Sequence, residues 1–429
     1  MKRILVIGSG GREHAIVWAI RNTSPVPVEL FCAPGNAGIG QLAQLVNVSV
    51  NEQQELAAFA ESNSVDLTFV GPEAPLTAGI VDAFTAKGMA VVGPSAAAAR
   101  LEGSKIFAKD FMARHAIPTA VYRVANSPRQ AIEFLRSGEF GGVDSPVVIK
   151  ADGLAAGKGV VVAATRSEAE KAVDDLMVQH VAGDQAAERV VIEEALSGTE
   201  ASLLLFSDGR DYALMPAARD HKRIGDNDTG PNTGGMGGIT DASVLDQATL
   251  DRVVREIVEP TLAGAREEGF AFKGVLFLGL MLTAEGPKLL EYNVRFGDPE
   301  TQAILIRLKT DLSAVFESMH DGTLGQFKLE WADGASACVV AANRGYPGKF
   351  ESGAEIEGLD AIDPARVQVF HAGTSLTPNG RFIATGGRVL GLTAAAETLS
   401  AALELCYAAL RKIHWPGMQF RTDIGRSRR

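Results

Sequence analysis

The residues best suited to chemistry lie between Leu289 and Gln302, where the sequence reads L-L-E-Y-N-V-R-F-G-D-P-E-T-Q. Lys288–Val294 has the apolar run of a strand, yet Glu291, Asn293 and Arg295 fall two apart along it. Alternate residues of a strand share a face, so a carboxylate, an amide oxygen and a guanidinium point the same way. Hard cations take oxygen ligands, and Mg²⁺ is held by one or two protein groups together with substrate phosphates. Glu291 and Asn293 supply two such oxygens at a spacing one ion can bridge, with Arg295 beside it for an anion. Gly297-Asp298-Pro299 is a turn, and Pro299 suits the first turn of a helix beginning at Glu300. The plain alternative is an edge strand with one solvated face.

The elements around this stretch supply further phosphate-binding features. Residues 1–102 alternate apolar runs (Lys2–Ile7, Val28–Ala33, Val46–Val50, Asp66–Val70, Met89–Val92) with helical patterns at Glu52–Ser62 and Thr77–Lys87. That alternation predicts a parallel sheet with crossover helices, whose ligands collect at the carboxyl ends of the strands. At the first such end, Gly8-Ser9-Gly10-Gly11-Arg12-Glu13-His14 is a glycine turn opening a helix, so its amides and dipole suit a phosphate. It fails the dinucleotide fingerprint, because Glu13 stands where the third glycine belongs and no acidic residue ends the second strand. Phosphate binding without NAD is therefore the reading, against a tight turn with no ligand. Pro34–Gly38, Gly71-Pro72-Glu73-Ala74-Pro75-Leu76 and Gly93-Pro94-Ser95 end other strands and make that sheet edge a cleft.

From 103 to 193 the signals change. Ser104 and Lys105 open a helix to about His115, and the strand Pro146–Lys150 runs into Ala151-Asp152-Gly153-Leu154-Ala155-Ala156-Gly157-Lys158-Gly159-Val160. Glycines let amides close over phosphates while Lys150 and Lys158 supply point charges. The spacing is not that of a Walker loop, and a flexible hairpin turn is the alternative. Glu168–His180 reads as a helix. Arg189–Glu194 reads as a strand ending in Ala195–Glu200, a hinge that offers backbone groups to an adenine edge and a carboxylate to ribose hydroxyls. Arg219–Gly238 shows no periodicity, and so long a structureless loop in a compact domain signals function. Helical residues 242–267 and the strand Gly274–Leu282 follow. His221 and His14 read as packing residues rather than catalytic ones. Residues 331–429 hold strands at Ala335–Ala341, Val367–His371 and Phe382–Leu390, a helix at Ala394–Arg411, and the solvated basic tail Arg426–Arg429. Arg388 either reaches the cleft or lies on the surface.

Composition narrows the class. At 429 residues with 46% hydrophobic content there is material for two to four cored domains. A net charge of -11 opposes nucleic-acid binding, though a local positive pocket can still take small anions. No apolar run is long enough to span a bilayer and the start does not read as a signal peptide, so no membrane partner is expected and a cytoplasmic location is. Three scattered cysteines, Cys32, Cys338 and Cys406, suggest buried thiols rather than disulfides or zinc.

Taken together, Lys105, the Lys150–Gly159 loop, the Glu193–Glu200 hinge and the Glu291/Asn293 pair resemble the ATP-grasp nucleotide site. More narrowly, G-S-G-G-R-E-H at 8–14, G-P-E-A-P-L at 71–76, D-H-K-R at 220–223, P-N-T-G-G-M-G at 231–237 and R-F-G-D-P-E at 295–300 resemble the phosphoribosylamine–glycine ligase family across nearly the whole length. The resemblance implies an α/β protein of four units: an N-terminal parallel-sheet (pre-ATP-grasp) domain at 1–102, a linker helix and lid at 103–193, a central α+β ATP-grasp domain at 194–330, and a small C-terminal α/β domain at 331–429. It implies an enzyme of purine synthesis, and a monomer is the separate expectation for its assembly. ATP, glycine and 5-phosphoribosylamine give glycinamide ribonucleotide, ADP and phosphate through glycyl phosphate.

By the same resemblance Glu291 and Asn293 hold Mg²⁺ or Mn²⁺, Lys105 and Lys150 contact ATP phosphates, and Gly157, Lys158 and Gly159 belong to a loop that closes over them. Glu193, Glu194 and Leu196 meet adenine, and Glu200 meets the ribose. Arg295 takes the glycine carboxylate and the transferred phosphate, and Asp220 the glycine ammonium, with Thr233 and Gly234 on the same side. Gly10, Gly11 and Arg12 cradle the phosphate of phosphoribosylamine, with Glu73 on its ribose. The neutral amine is itself a nucleophile, so neither a dedicated base nor a covalent enzyme intermediate is expected. One departure concerns the metal: many ATP-grasp enzymes carry a further acid on the preceding strand, where this chain has Leu278-Gly279-Leu280-Met281. An ATP-grasp ligase for another small carboxylate and a non-catalytic nucleotide-binding regulator are the competing readings. Retention of Glu291, Asn293, Lys105 and Arg295 together opposes the regulator, and a dehydrogenase rests only on the incomplete fingerprint.

Overall fold

A computed structural model describes residues 1–154, 159–181, 183 and 188–426. The N-terminal alternation forms a five-stranded parallel sheet in the order Gln44–Leu45, Val28–Pro34, Lys2–Gly8, Leu67–Val70, Val91–Val92. Ile4, Leu5, Val6 and Ile7 are all fully buried, as a parallel strand covered on both faces requires. The helix Gly11–Thr23 leaves the central strand at the glycine turn. Two expectations fail here. Val46–Val50 is not a strand, because the pairing stops at Leu45 and Ser49 N–H donates to Glu52 Oε2 (2.8 Å), turning the chain into the helix Gln53–Ser62. Thr77–Lys87 is broken at Gly79, whose φ of 85° separates Glu73–Thr77 from Ile80–Ala86.

Four antiparallel strands, in the order Tyr122–Ala125, Val190–Glu194, Val147–Ala151, Val160–Ala163, make a lid sheet. The helices Pro128–Arg136 and Arg166–Met177 pack on it, each opened by a capping hydroxyl, Ser127 and Thr165. They close a separate apolar core around Leu135, Ile149, Val173 and Ile192.

The largest sheet has ten strands and begins Gly286–Asn293, Lys273–Thr283, Thr199–Asp208, Ala218–Asp220, Gly237–Thr240. It continues through Ala335–Asn343, Arg388–Ala396 and Gln368–His371, so the central and C-terminal regions share one set of ladders. Arg219–Gly238 is more ordered than its sequence suggests, carrying the ends of two of these strands and the small hairpin Arg223–Gly225 with Thr229–Asn232. The helical stretch 242–267 begins at Gln247 and contains a π-turn at Val254–Val258. The expected strand Phe382–Leu390 is two. Phe382–Ala384 joins a three-stranded sheet, and the chain crosses against Gly373 at Gly386 before Arg388 begins the next strand. That strand runs to Ala396 because Ala394–Ala396 pair with Ala335–Ala337, so the last helix starts at Leu399, capped by Thr398, rather than at Ala394.

Candidate active site

The strand Gly286–Asn293 carries a bulge: Gly279 faces Glu291 and Leu280 faces Leu289, leaving Leu290 without a partner residue. A bulge resets the alternation of side chains. Leu289, Tyr292 and Val294 therefore all face the core, while Glu291, Asn293 and Arg295 share the other side. The Leu290 carbonyl freed by the bulge accepts from Lys150 Nζ at 3.2 Å, tying the lid sheet to this strand. Burial pushes the Glu291 carboxyl up, but Lys222, Lys150, Lys105 and Arg295 outweigh it and hold it below the usual carboxylate range.

The lid side is lined by lysines. Lys105, in the first turn of the helix Lys105–Arg114, donates to Gly153 O at 3.1 Å. Asp152 anchors the glycine loop to that helix through Ser104 Oγ (2.9 Å) and Ile106 N–H (3.2 Å). Gly159 O closes the far end on Ala151 N–H (2.8 Å), whereas Gly157 and Lys158 lie outside the described residues. Lys150 Nζ reaches Glu193 Oε2 at 3.0 Å, and Lys109, which sequence reasoning missed, reaches the same oxygen at 3.2 Å. All three are at least 94% buried, and Glu193 Oε1 has no hydrogen-bond partner among the described residues. Burial lowers Lys109 to about 8 against the opposing pull of Glu193. Glu194 points the other way, accepting from Val121 N–H (3.0 Å) and Lys288 Nζ (3.5 Å). Leu196 is half-buried beside this edge, and Glu200, in the next strand, pairs with Lys222 at 3.0 Å.

Asp220 ends its strand near Lys222, Glu200 and Glu291, and burial raises its carboxyl. Thr233 accounts for the turn that follows: its amide and hydroxyl both donate to Lys222 O (2.7 and 2.8 Å), and its oxygen accepts from Gly235 N–H (2.9 Å). Glu300, 3% exposed, is pushed up to about 7 by burial and by Asp220. No property of the sequence beyond its place in R-F-G-D-P-E singled out Glu300.

On the far side arginines dominate. Arg295 reaches Glu102 Oε1 (2.9 Å), Glu73 Oε2 (3.3 Å), Asn293 Oδ1 (3.1 Å) and Phe296 O (3.2 Å). Although burial opposes it, Arg295 with Arg12 holds Glu73 below the usual range. Glu102, unnoticed in the sequence, also accepts the Val294 N–H (2.8 Å). Arg12 pairs with Glu13 (2.5 Å) and donates to Phe296 O (3.1 Å). Gly10 N–H donates to Glu13 Oε2 (2.7 Å), so the amides left for a ligand are those of the first helical turn from Gly11. His14 and His221 are packing residues: His14 Nδ1 accepts from His371 N–H (2.8 Å), and His221 Nε2 from Gly425 N–H (3.1 Å).

A lid sheet and an antiparallel sheet enclosing lysines, beside a strand that presents a carboxylate and an amide oxygen, define an ATP-grasp enzyme. Three family models together cover almost all of the chain: the phosphoribosylglycinamide synthetase N domain over residues 2–102, its ATP-grasp (A) domain over 103–301 and its C domain over 336–427. The chain belongs to the phosphoribosylglycinamide synthetase family. It is 46% identical to the phosphoribosylamine–glycine ligase of Caldanaerobacter subterraneus, covering 98% of this chain and 99% of that one. It is 49% identical to the ligase of Xanthomonas axonopodis, covering 99% and 97%. The crystal structure of the Thermotoga maritima ligase superposes with a TM-score of 0.84 at 34% identity, covering 98% and 99%. A biotin carboxylase domain from Hydrogenobacter thermophilus shares the fold at 15% identity, with a TM-score of 0.72 over 98% of this chain and 91% of that one.

Proposed function

We infer that the protein joins glycine to 5-phosphoribosylamine at the expense of ATP, as its relatives are named for doing, and that glycyl phosphate is the intermediate. The observation that carries this reading is the set of cations about the Glu291 strand: Lys150 bonds Leu290 O, Arg295 bonds Asn293 Oδ1, and these two with Lys105 and Lys222 hold the Glu291 carboxyl below its usual range. A carboxylate is a poor acylating agent, and phosphoryl transfer to it needs mainly alignment and charge neutralisation. A glycine carboxylate oxygen attacks the γ-phosphorus and ADP leaves. The amine nitrogen then attacks the glycyl carbonyl carbon, phosphate departs, and the nitrogen gives up a proton.

In this reading ATP lies between the lid sheet and the Glu291–Asn293 strand. Lys105 and Lys150 take its phosphates under the loop of Gly157, Lys158 and Gly159, and Glu200 takes its ribose. Glu193, Glu194 and Leu196 meet adenine, and the unsatisfied Glu193 Oε1 is an acceptor for its amine. Glu291 and Asn293 would hold Mg²⁺ or Mn²⁺, which when bound neutralises charge on the phosphate oxygens. The donor set fits a hard cation: Glu291 is held ionised, and Asn293 Oδ1, accepting from Arg295, keeps a second lone pair. Among the described residues no group of three acids, histidines or cysteines surrounds a metal position, so the ion would rest on these two ligands, phosphate and water. Arg295 meets the glycine carboxylate and Asp220 its ammonium, with Thr233 and Gly234 beside them. The helix start at Gly11 and Arg12, after Gly10, takes the phosphate of phosphoribosylamine, and Glu73 its ribose. A monomer as the working unit belongs to the same reading. No helix among the described residues is long and apolar enough to cross a membrane; a cytoplasmic location belongs to the same reading.

The test is phosphate release from ATP and Mg²⁺ with glycine and freshly made phosphoribosylamine, each omitted in turn. Release that needs both, with glycinamide ribonucleotide as product, is expected. ATP binding without stimulation by the pair would mean a different carboxylate or amine is used.

A further inference from the structure

The C-terminal region sends Arg388 into the centre, and its guanidinium joins the turn after Arg295 to the loop after Thr233, two elements that carry proposed glycine-binding groups. Nη2 meets Asp298 Oδ2 at 3.0 Å and Nη1 donates to Asp298 O at 2.9 Å, fixing the turn after Arg295. Nη1 also donates to Gly234 O, in the loop that follows Thr233. Tyr346 Oη accepts from Gly234 N–H at 2.9 Å, so both the N–H and the C=O of Gly234 are held from the C-terminal region. The space is closed: a Cβ on Gly235 would overlap Pro299, one on Gly387 would overlap Tyr346, and one on Gly234 would stand 3.1 Å from Arg388 Cζ. Asp298 is gripped from its other side by Gln302 Nε2 at 2.7 Å. Gln302 is 2% exposed, its Oε1 has no partner among the described residues, and its amide lies 2.7 Å from where a Cβ on Gly11 would be. Asp298 and Gln302 thus face the glycine turn of the N-terminal domain.

We propose that Arg388 is a positioning residue for the amine acceptor, holding Asp298 and the Gly234–Gly235 loop in one register so that Asp298 and Gln302 present a fixed polar wall to the Gly10–Gly11 turn. A guanidinium is suited to this because its fork serves two elements at once, which a lysine ammonium on a flexible stem does not. The proposal rests on the reading of that turn as the phosphoribosylamine site. A plain structural role predicts something different: lower stability with all substrates affected alike.

The experiment measures kcat, the three KM values and the thermal midpoint for the full-length enzyme and for Arg388→Lys, Arg388→Met, Tyr346→Phe and Gly11→Ala. Arg388→Lys and Arg388→Met are expected to raise the KM for phosphoribosylamine about tenfold, the usual effect of losing a hydrogen bond to a charged group. The KM for ATP stays within about twofold of the parent, and Tyr346→Phe moves the amine KM in the same direction by less. A lowered midpoint with unchanged KM values, or an equal rise in all three, overturns the proposal. Should Arg388→Met fail to fold, Arg388→Lys and Tyr346→Phe still decide it. Gly11→Ala separates the two levels. If it leaves the amine KM untouched, the acceptor site itself is misread; if it raises that KM while Arg388→Lys does not, only the role of Arg388 falls.

Discussion

The two flanks of the Glu291 strand are charged by different residues. Toward the lid the cations are lysines: Lys105 on Gly153 O, Lys109 and Lys150 together on one oxygen of Glu193, and Lys222 on Glu200. Toward the N-terminal and C-terminal domains they are arginines, and Arg295 and Arg388 each bond to several groups on separate elements. An ammonium is a point charge on a flexible stem that exchanges partners readily, whereas a guanidinium fork is planar and gains from fixed, multiple acceptors. The lysine flank suits a polyanion that enters, loses a phosphoryl group and leaves in every turnover. The arginine flank suits a junction whose geometry must not change while small substrates are aligned.

The most damaging change should be at the strand both flanks share. Glu291→Ala is expected to lower phosphate release by about 10³-fold or more, as loss of a preorganised electrostatic group does, with an unchanged circular-dichroism spectrum. Near-normal turnover in that variant would remove the proposed metal ligand and with it the centre of the comparison.

The next pair tests the comparison directly. Arg295→Lys keeps the charge but cannot serve Glu73, Glu102 and Asn293 together, so a largely buried carboxylate loses its partner, costing on the order of 3 kcal/mol in unfolding free energy as well as activity. Lys150→Met leaves Glu193 paired with Lys109, so its main effect should be about a 10²-fold loss in kcat/KM for ATP, with little change in the denaturation midpoint. If Lys150→Met proves the more destabilising of the two, the assignment of exchange to lysines and fixation to arginines is reversed.

These contrasts were partly legible in the sequence. Glu291, Asn293 and Arg295 were readable because period-two spacing on an apolar strand survives folding, and even the bulge at Leu290 leaves that triplet in phase. Lys105 and Lys150 were readable from their places at a helix start and before a glycine loop. Lys109 and Glu102 were not, since each sits in an ordinary helical pattern and gains its meaning from a partner far along the chain, Glu193 or Arg295. Arg388 was undecidable for the same reason: the crossing at Gly373 and Gly386 that aims it inward is a tertiary event. The N-terminal parallel sheet followed from alternation, and the rest of the fold class from the family resemblance. The breaks at Val46, Gly79 and Gly386 did not, because a side-chain hydrogen bond, a left-handed glycine within a helical pattern and a close backbone approach set them in turn, rather than hydrophobic period.

A smaller effect separates glycine from ATP on the shared strand's other side. Asp220→Asn removes a carboxylate near Lys222 and Glu291 while keeping its shape. The KM for glycine should rise about tenfold, the worth of one charge-assisted hydrogen bond, with the KM for ATP nearly constant. Equal glycine dependence in the two proteins would take Asp220 out of the pocket and leave the ammonium to Glu300.

The weakest expected signal lies where the N-terminal helix meets the C-terminal sheet. His14 and His371 are each 5% exposed, and burial lowers them to about 3 and about 4. In both, the folded protein refuses a proton that the unfolded chain accepts below its ordinary value near 6.5. Their contribution is therefore complete above about pH 6.5 and is lost as pH falls toward 4, with a limiting slope of about 1.4 kcal/mol per pH unit for each. Glu300, raised to about 7, acts oppositely over the same window, since there the folded state holds the extra proton. The informative quantity is thus the difference between the parent and His14→Asn, whose amide oxygen can still accept the His371 N–H. Urea midpoints from pH 7.5 to 5 should fall less steeply in the variant, whereas identical slopes would mean that water already reaches this junction and that the arginine flank is less rigid than its bonds imply.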